Sequence, residues 1–382
     1  MKRSTRKILT THTGSLPRLD AVLPLLIARD QGKLDDRAGF EATVSQAVRD
    51  IVRKQQDTGI DIVNDGEQGK FNYSTYIKDR LCGFEGPPVP LGPGRDHEGF
   101  PDYVAAFRKG LARPSGPTCS GPIAWKDFSA VQRDIDNLRA ATTGSNVEEA
   151  FMSAVSPAQA ARFMPNRYYK TEEEYLHALG DALREEYNAI AKAGFLLQLD
   201  CPDLAGGWNW EFRDATVTQF QKAMALHIEV LNHATRDIEP EQMRLHLCWG
   251  NYEGPHNHDI PIRELLTEVI KARPAGLSFE GANPRHAHEW KVFRDIRLPE
   301  GKVLIPGVLD STSNFVEHPE LVAEHICNYA RLVGRENVIA GTDCGFATSA
   351  GASGVFPSIA WAKLAAMVEG ARIASRELWA AS

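Results

Sequence analysis

Eight short apolar runs, each ending in polar or small residues, constrain this chain more than any other feature. They are KILTTHTGS (7–15), IDIVNDGE (60–67), PTCSGPI (117–123), FLLQLD (195–200), RLHLC (244–248), GLSFE (276–280), KVLIPGVLD (302–310) and NVIAGTDC (337–344). Helical patterns lie between most of them. FEATVSQAVRDIVRKQQDTG repeats its apolar residues at three- and four-residue spacing and stops at Gly59, and EEEYLHALGDALREEYNAIAKAG stops at Gly194. PELVAEHICNYARLVG and IRELLTEVIKARPAG close the same way, on Gly or Pro-Ala-Gly. Strand, helix and glycine stop, repeated along the chain, predict an α/β fold, a (β/α)8 TIM barrel. A doubly wound open sheet is the competitor, but no GxGxxG follows the first run.

The uneven spacing predicts one catalytic domain over 1–382 with long insertions after strands 2 and 3. The stretch 83–116, rich in Gly and Pro, reads as a long loop or lid, and 126–193 predicts two or three helices beyond a single crossover. At 43% hydrophobic and 24% charged the composition suits a soluble enzyme, and a net charge of -7 argues against nucleic acid or anionic membrane as the main partner. No run approaches the roughly 18 apolar residues of a membrane span, and MKRSTRKILTTHTGSLPR has no signal-peptide core. The expected address is the cytoplasm. The six cysteines (82, 119, 201, 248, 327 and 344) lack the spacing of a disulfide scaffold, which in a reducing compartment points to buried, catalytic or metal-bound thiols.

The C-terminal ends of barrel strands converge on one mouth. His246 and Cys248 are two apart, so on a strand both face the same side and can serve one ion. The same spelling at His325 and Cys327 sits in a helical pattern, where such residues point about 200° apart, and reads as chance. Glu280 ends an apolar run and is costly to bury unless paired or metal-bound. Cys344 lies among small residues in GTDCGF, where a ligand can approach closely. One imidazole, one carboxylate and two thiolates make a zinc site, so Zn2+ is the expected cofactor. The competing reading makes them separate core residues.

Other strand ends carry polar groups: Ser15 in THTGSLPR, Asp65 and Glu67 in VNDGEQG, Asp200 in LQLDCPD and Asp310 in GVLDSTSN. They are candidates to hold an ammonium or hydroxyl group of a substrate, and each could instead cap a helix. Arg18 and Arg285 are candidates for an acidic substrate group, against the alternative of solvated surface arginines.

These motifs, in this order, resemble the catalytic C-terminal barrel of the cobalamin-independent methionine synthase family. The resemblance runs from TTHTGSLPR to GTDCGFAT, nearly the whole chain. It implies zinc at His246, Cys248, Glu280 and Cys344, and an amino-acid pocket at Ser15 (GS-x-P), Glu67 (GE) and Asp200 (IQ-x-D). Three stretches depart from the family pattern. Cys201 stands where the family usually has Glu, Thr312 lies near the place of a His in the GVYD stretch, and GANPRHAHEW replaces the usual residues after the zinc glutamate. Single-barrel relatives include core methionine synthases, which take a methyl group from a corrinoid protein, and epoxyalkane:coenzyme M transferases, which open an epoxide with a zinc-bound thiolate.

The expected activity is zinc-dependent S-alkyl transfer, methionine synthase-like methyl transfer to a thiol such as homocysteine through a zinc-bound thiolate. Two thiolates and a carboxylate outweigh the charge of Zn2+, so a bound substrate thiolate stays nucleophilic, whereas three neutral histidines suit the acidification of water. The alternatives are thiol addition to an epoxide and a zinc hydrolase or lyase on the same barrel. A metal-free barrel similar to uroporphyrinogen decarboxylases is a further rival. The expected partners are a small-molecule thiol and an alkyl donor, with a homodimer and a corrinoid protein as candidate macromolecular partners.

Overall fold

The computed structural model describes residues 1–90, 92–110, 116–352 and 354–380. Its strands are β1 (Leu9–Thr10), β2 (Ile62–Val63), β3 (Leu81–Cys82), β4 (Ala124–Trp125), β5 (Glu149–Val155), β6 (Leu196–Asp200), β7 (Met243–His246), β8 (Gly276–Phe279), β9 (Val303–Pro306) and β10 (Ile339–Ala340). Six of them form one curled sheet in the order β2-β5-β6-β7-β8-β9, with parallel pairing throughout. β1 pairs in parallel with β10, and parallel bridges at Leu304–Val338 and Gly307–Gly341 join β10 to β9. At the β1–β2 seam, Thr10 N donates to Asp61 Oδ2 (3.0 Å) and the Thr11 hydroxyl to the Ile62 carbonyl (3.1 Å). Eight parallel strands thus encircle one axis, the TIM barrel expected from the run pattern.

The third barrel strand is not the expected one. PTCSGPI (117–123) forms only isolated bridges, Pro88–Pro117 and Cys119–Asn166, and stands outside the barrel. The place beside β2 is taken by β5, with Ile62 opposite Glu149. β5 reads EAFMSAV, and Ala, Glu and Met favour helix, so burial between two strands overrides local preference here. The main excursion therefore lies between the second and third barrel strands, not after both the second and the third. It carries the antiparallel β3–β4 ribbon, the helix Pro101–Gly110 and the helix Ser129–Thr142. Of the expected lid at 83–116, residues 91 and 111–115 lie outside the described residues.

Local signals set the flanking helices. Arg37–Thr58 starts where the Asp36 side chain accepts from Gly39 N, and ends at Gly59 with φ 92°, a left-handed conformation that glycine adopts without a Cβ clash. Inside the barrel, Leu9, Ile62, Phe151, Leu196, Val303, Ile305 and Ile339 form a small apolar cluster. The buried Arg244 is the polar tie of the interior. It lies 3.5 Å from the Phe151 ring centre and donates to Gln198 Oε1 (2.7 Å), the Thr11 hydroxyl (2.9 Å) and the His12 carbonyl (2.6 Å). Those bonds link β7, β6 and the end of β1, leaving the strand ends beyond them to form the site.

Candidate metal centre

β7 ends at His246 and the chain continues extended through Cys248, while Cys344 follows β10. One donor atom from each of His246, Cys248 and Cys344 lies within 4.8 Å of the others, and all three residues are buried. Cys248 Sγ is 3.6 Å from Cys344 Sγ, with both thiols free of disulfides. Two sulfurs on one tetrahedral zinc, at about 2.3 Å each, stand roughly 3.8 Å apart, so this spacing fits. His246 Nδ1 is 3.1 Å from the Ser278 hydroxyl on β8, whereas Nε2 is buried with no hydrogen-bond partner. A ring held at one nitrogen with the other lone pair free is the arrangement of a metal-bound histidine. Burial, with Arg244 adding to it, holds the His246 pKa down to about 3, which keeps the imidazole neutral.

Glu280 stands beside Cys248 but outside that close set. Its Oε1 accepts from Trp249 N (2.8 Å) and its Oε2 from Asn283 Nδ2 (2.8 Å). Burial first, and then the neighbouring Cys248, push its carboxyl well above the usual range. The Cys248 thiol is likewise raised, by its hydrogen bond with Cys344 and then by burial. Donors pushed toward their neutral forms in this way gain from a shared cation. The donor set of two sulfurs, one free imidazole nitrogen and an adjacent carboxylate could hold a thiophilic divalent ion such as zinc. The second His-x-Cys, at His325 and Cys327, lies on the helix Pro319–Val333 and joins no such group among the described residues.

The expected substrate residues divide. Ser15 comes to the metal donors: a Cβ on Gly345 would sit 2.0 Å from its Oγ, so glycine next to Cys344 is what lets the serine approach. Glu67 comes close enough to Asp200 for its charge to oppose the ionisation of Asp200, and Asp65 opposes that of Glu67 in the same way. Both carboxyls are raised, by burial first; for Asp200 the Glu67 charge is next, while Lys70 and Arg18 partly offset the rise at Glu67. Asp200 Oδ1 accepts from Gln198 Nε2 (2.8 Å), and Glu67 Oε2 is buried without a hydrogen bond, 3.8 Å from Arg18. Arg18 is no surface cation. It is buried and donates to the carbonyls of Leu16, Gly66 and Lys70, so it fixes the turn that presents Glu67. Arg285 is exposed and donates to the Asn257 carbonyl (3.2 Å). Asp310 caps a local turn through Thr312 N (2.9 Å).

Several residues at the mouth carry no readable sequence signal. Lys70 is buried, donates to the Ser153 carbonyl (2.5 Å) and faces the carboxylates of Glu67 and Asp200. Asp343 accepts from the backbone N–H groups of Gly281 (2.7 Å), Ala282 (2.8 Å) and Asn283 (2.7 Å), which sets the loop after Glu280. Tyr73 takes a hydrogen bond from Gln159 Nε2 (2.8 Å), with its hydroxyl in electrostatic reach of Cys248, Cys344 and Asp200. The His286 ring packs against Trp249, tilted by 31° with 4.1 Å between ring centres. The one hint among these is the strand-end aspartate of GTDCG, which stands out in the sequence only as the context of the cysteine.

A parallel barrel with buried thiols, imidazole and carboxylates at its mouth is a TIM barrel whose strand ends offer a candidate metal site. Residues 166–372 match the family model for the catalytic domain of cobalamin-independent synthase, and the chain belongs to that family. It is similar to the methionine synthase of Thermococcus kodakarensis, 24% identical over 372 residues that cover 97% of this chain and 94% of the relative. It is 23% identical over 374 residues to that of Saccharolobus islandicus strain Y.N.15.51, covering 97% and 95%. The B12-independent methionine synthase from Shewanella sp. W3-18-1, solved with selenomethionine, superposes with a TM-score of 0.74 at 22% identity, covering 98% and 99%, a likeness of fold. Among the described residues no helix is long and apolar enough to cross a membrane.

Proposed function

We propose that this chain is a zinc-dependent S-alkyltransferase that transfers a methyl group to an amino-acid thiol such as homocysteine. The observation that carries the proposal is the close set of one His246 ring nitrogen, Cys248 Sγ and Cys344 Sγ beside two buried carboxyls that favour a cationic partner. His246, Cys248, Cys344 and, after a turn of its side chain, Glu280 would hold the ion. Zinc bound there would supply the acidity that makes a coordinated thiol a thiolate at neutral pH. Ser278 orients the His246 ring, and Asp343 braces the Glu280 loop through three backbone bonds. Glu67 and Asp200 would take the substrate ammonium, whose charge favours the ionised carboxylates that burial opposes. Ser15, beside Gly345 and so near Cys344, would bind the carboxylate or ammonium end. Holding nucleophile and alkyl donor together is the source of acceleration over solution.

The methyl donor in this reading is a folate or a corrinoid protein, and the enzyme acts in the reducing cytoplasm as a single domain that pairs with a second copy. The relatives named methionine synthase support the methyl-transfer reading over epoxide opening. Zinc-edge X-ray absorption on the purified protein, with and without homocysteine, is the test. A sulfur neighbour gained on adding the thiol supports the proposal. Unchanged zinc coordination, or turnover of a substrate with no thiol present, overturns it in favour of hydrolysis.

A further inference from the structure

A cavity of about 640 Å³ lies between the helices Leu23–Asp30, Arg37–Thr58 and Ser129–Thr142 and the Tyr76–Arg80 segment. It shares no lining residue with the metal centre. Leu34, Phe40, Val44 and Tyr76 give it an apolar wall. Four arginines and four carboxylates also line it, and most are spent on one another. Arg37 and Arg133 pair with Glu41 (3.0 and 3.3 Å), and Arg80 pairs with Asp134 (2.5 Å) and Glu186 (2.9 Å). Asp127 accepts from Ser129 N (2.8 Å) and stands 3.8 Å from Arg37.

Two groups of opposite sign form no close ion pair, and the Asp79 charge is the largest that favours the Arg29 guanidinium. Arg29 has no carboxylate within 4.0 Å among the described residues. Its hydrogen bond runs from the guanidinium to the Gly69 carbonyl (3.1 Å), and its Nε is buried with no partner. The guanidinium lies 4.9 Å from the Phe40 ring centre, which holds it against the apolar wall. Asp79 is exposed, lines the same cavity and forms no ion pair within 4.0 Å among the described residues. A singly charged ligand would weaken their mutual attraction and meet one of them only, whereas a zwitterion meets both.

We propose that this cavity binds a free α-amino acid with an apolar side chain. Its carboxylate pairs with the Arg29 guanidinium, the geometry that suits a planar fork. Its ammonium meets Asp79, and its side chain lies along Phe40 and Val44. The volume is that of a small-ligand site. The occupant also competes for the guanidinium that holds the Gly69 carbonyl, and Gly69 lies in the turn between Glu67 and Lys70. The site is therefore placed to act on the mouth, and it does not depend on the reaction assigned there.

Calorimetric titration of the full chain with L-norleucine, hexanoate and pentylamine tests this. Norleucine is expected to bind more tightly than either singly charged probe. Arg29→Gln and Asp79→Asn should each weaken it by roughly tenfold or more. Ala130→Phe should abolish binding by filling the cavity without touching a charge, which covers the case of an Arg29 variant that folds poorly. Asp200→Asn, at the mouth, should leave the affinity unchanged. No heat with wild type, equal binding of hexanoate, unchanged binding in Arg29→Gln or Ala130→Phe, or loss in Asp200→Asn would each overturn the assignment.

Discussion

His246, Cys248 and Cys344 bring one donor atom each within 4.8 Å, and Asp96, His256 and Asp259 do the same on the loops nearby. In the second group the imidazole is spent internally, although Asp259 Oδ1 is buried without a hydrogen bond. His256 Nε2 faces the Tyr252 carbonyl (3.0 Å) and its Nδ1 faces Asp259 Oδ2 (2.7 Å). A carbonyl and a carboxylate only accept, so both ring nitrogens carry protons and neither lone pair is left for a metal. Asp96, fully buried, accepts from Tyr252 Oη (2.9 Å), Asn209 Nδ2 (2.6 Å) and His258 N (2.8 Å). That network fastens the 93–100 stretch to the loop after β7. In the first group His246 keeps a free nitrogen and the sulfurs face each other. Proximity alone does not make a metal site; the imidazole must also keep a lone pair free.

The largest effect expected from this contrast is on metal content. Cys344→Ser should lower zinc, measured by elemental analysis, from about one per chain to near none, while His256→Gln should leave it unchanged. Loss of zinc in His256→Gln would erase the distinction. Next comes stability. Asp96→Ala strands three donors and should cost about 3 kcal/mol in urea unfolding, with zinc retained. A smaller effect sharpens the first group: Ser278→Ala should weaken zinc affinity roughly 10- to 100-fold in chelator competition by freeing the His246 ring. Tyr252→Phe, the matching change in the second group, should leave that affinity alone.

The two groups also differ in how far the amino-acid sequence reveals them. Period-two spacing places His246 and Cys248 on one face, and a strand end places Cys344 at the mouth, so the first group is legible. The second is not. Asp96 lies in a Gly- and Pro-rich stretch that reads as loop, and its three donors come from distant segments with no shared motif. The same limit applies to Ser278, Asp343 and Lys70, whose roles exist only as bonds between neighbouring strands and turns. In the fold, the run pattern identifies seven barrel strands and fails at β5, where EAFMSAV carries helix-favouring residues and only its neighbours β2 and β6 hold it extended. Arg18 misleads for a related reason, because an arginine's burial against backbone carbonyls leaves no mark in its sequence neighbours.

The smallest expected effect is a pH dependence at His286, which ties Asp259 of the second group to Trp249 beside the first. His286 lies between Asp259 (3.2 Å) and Glu289 (2.8 Å) and packs against Trp249. Burial opposes its charge, but the hydrogen bonds to Asp259 and Glu289 outweigh that and push its pKa from 6.5 up to about 10. A folded-state pKa above the unfolded value means the stabilisation is complete below about 6.5 and is lost as pH rises toward 10. Asp259 is shifted the other way, held below 3.8 because the bonds to His256 and His286 outweigh burial, so its contribution is present above that pH and fades in acid. Thermal melts of wild type should therefore fall between pH 6.5 and 10 more steeply than those of His286→Gln. Parallel curves would mean that His286 is neutral in the fold.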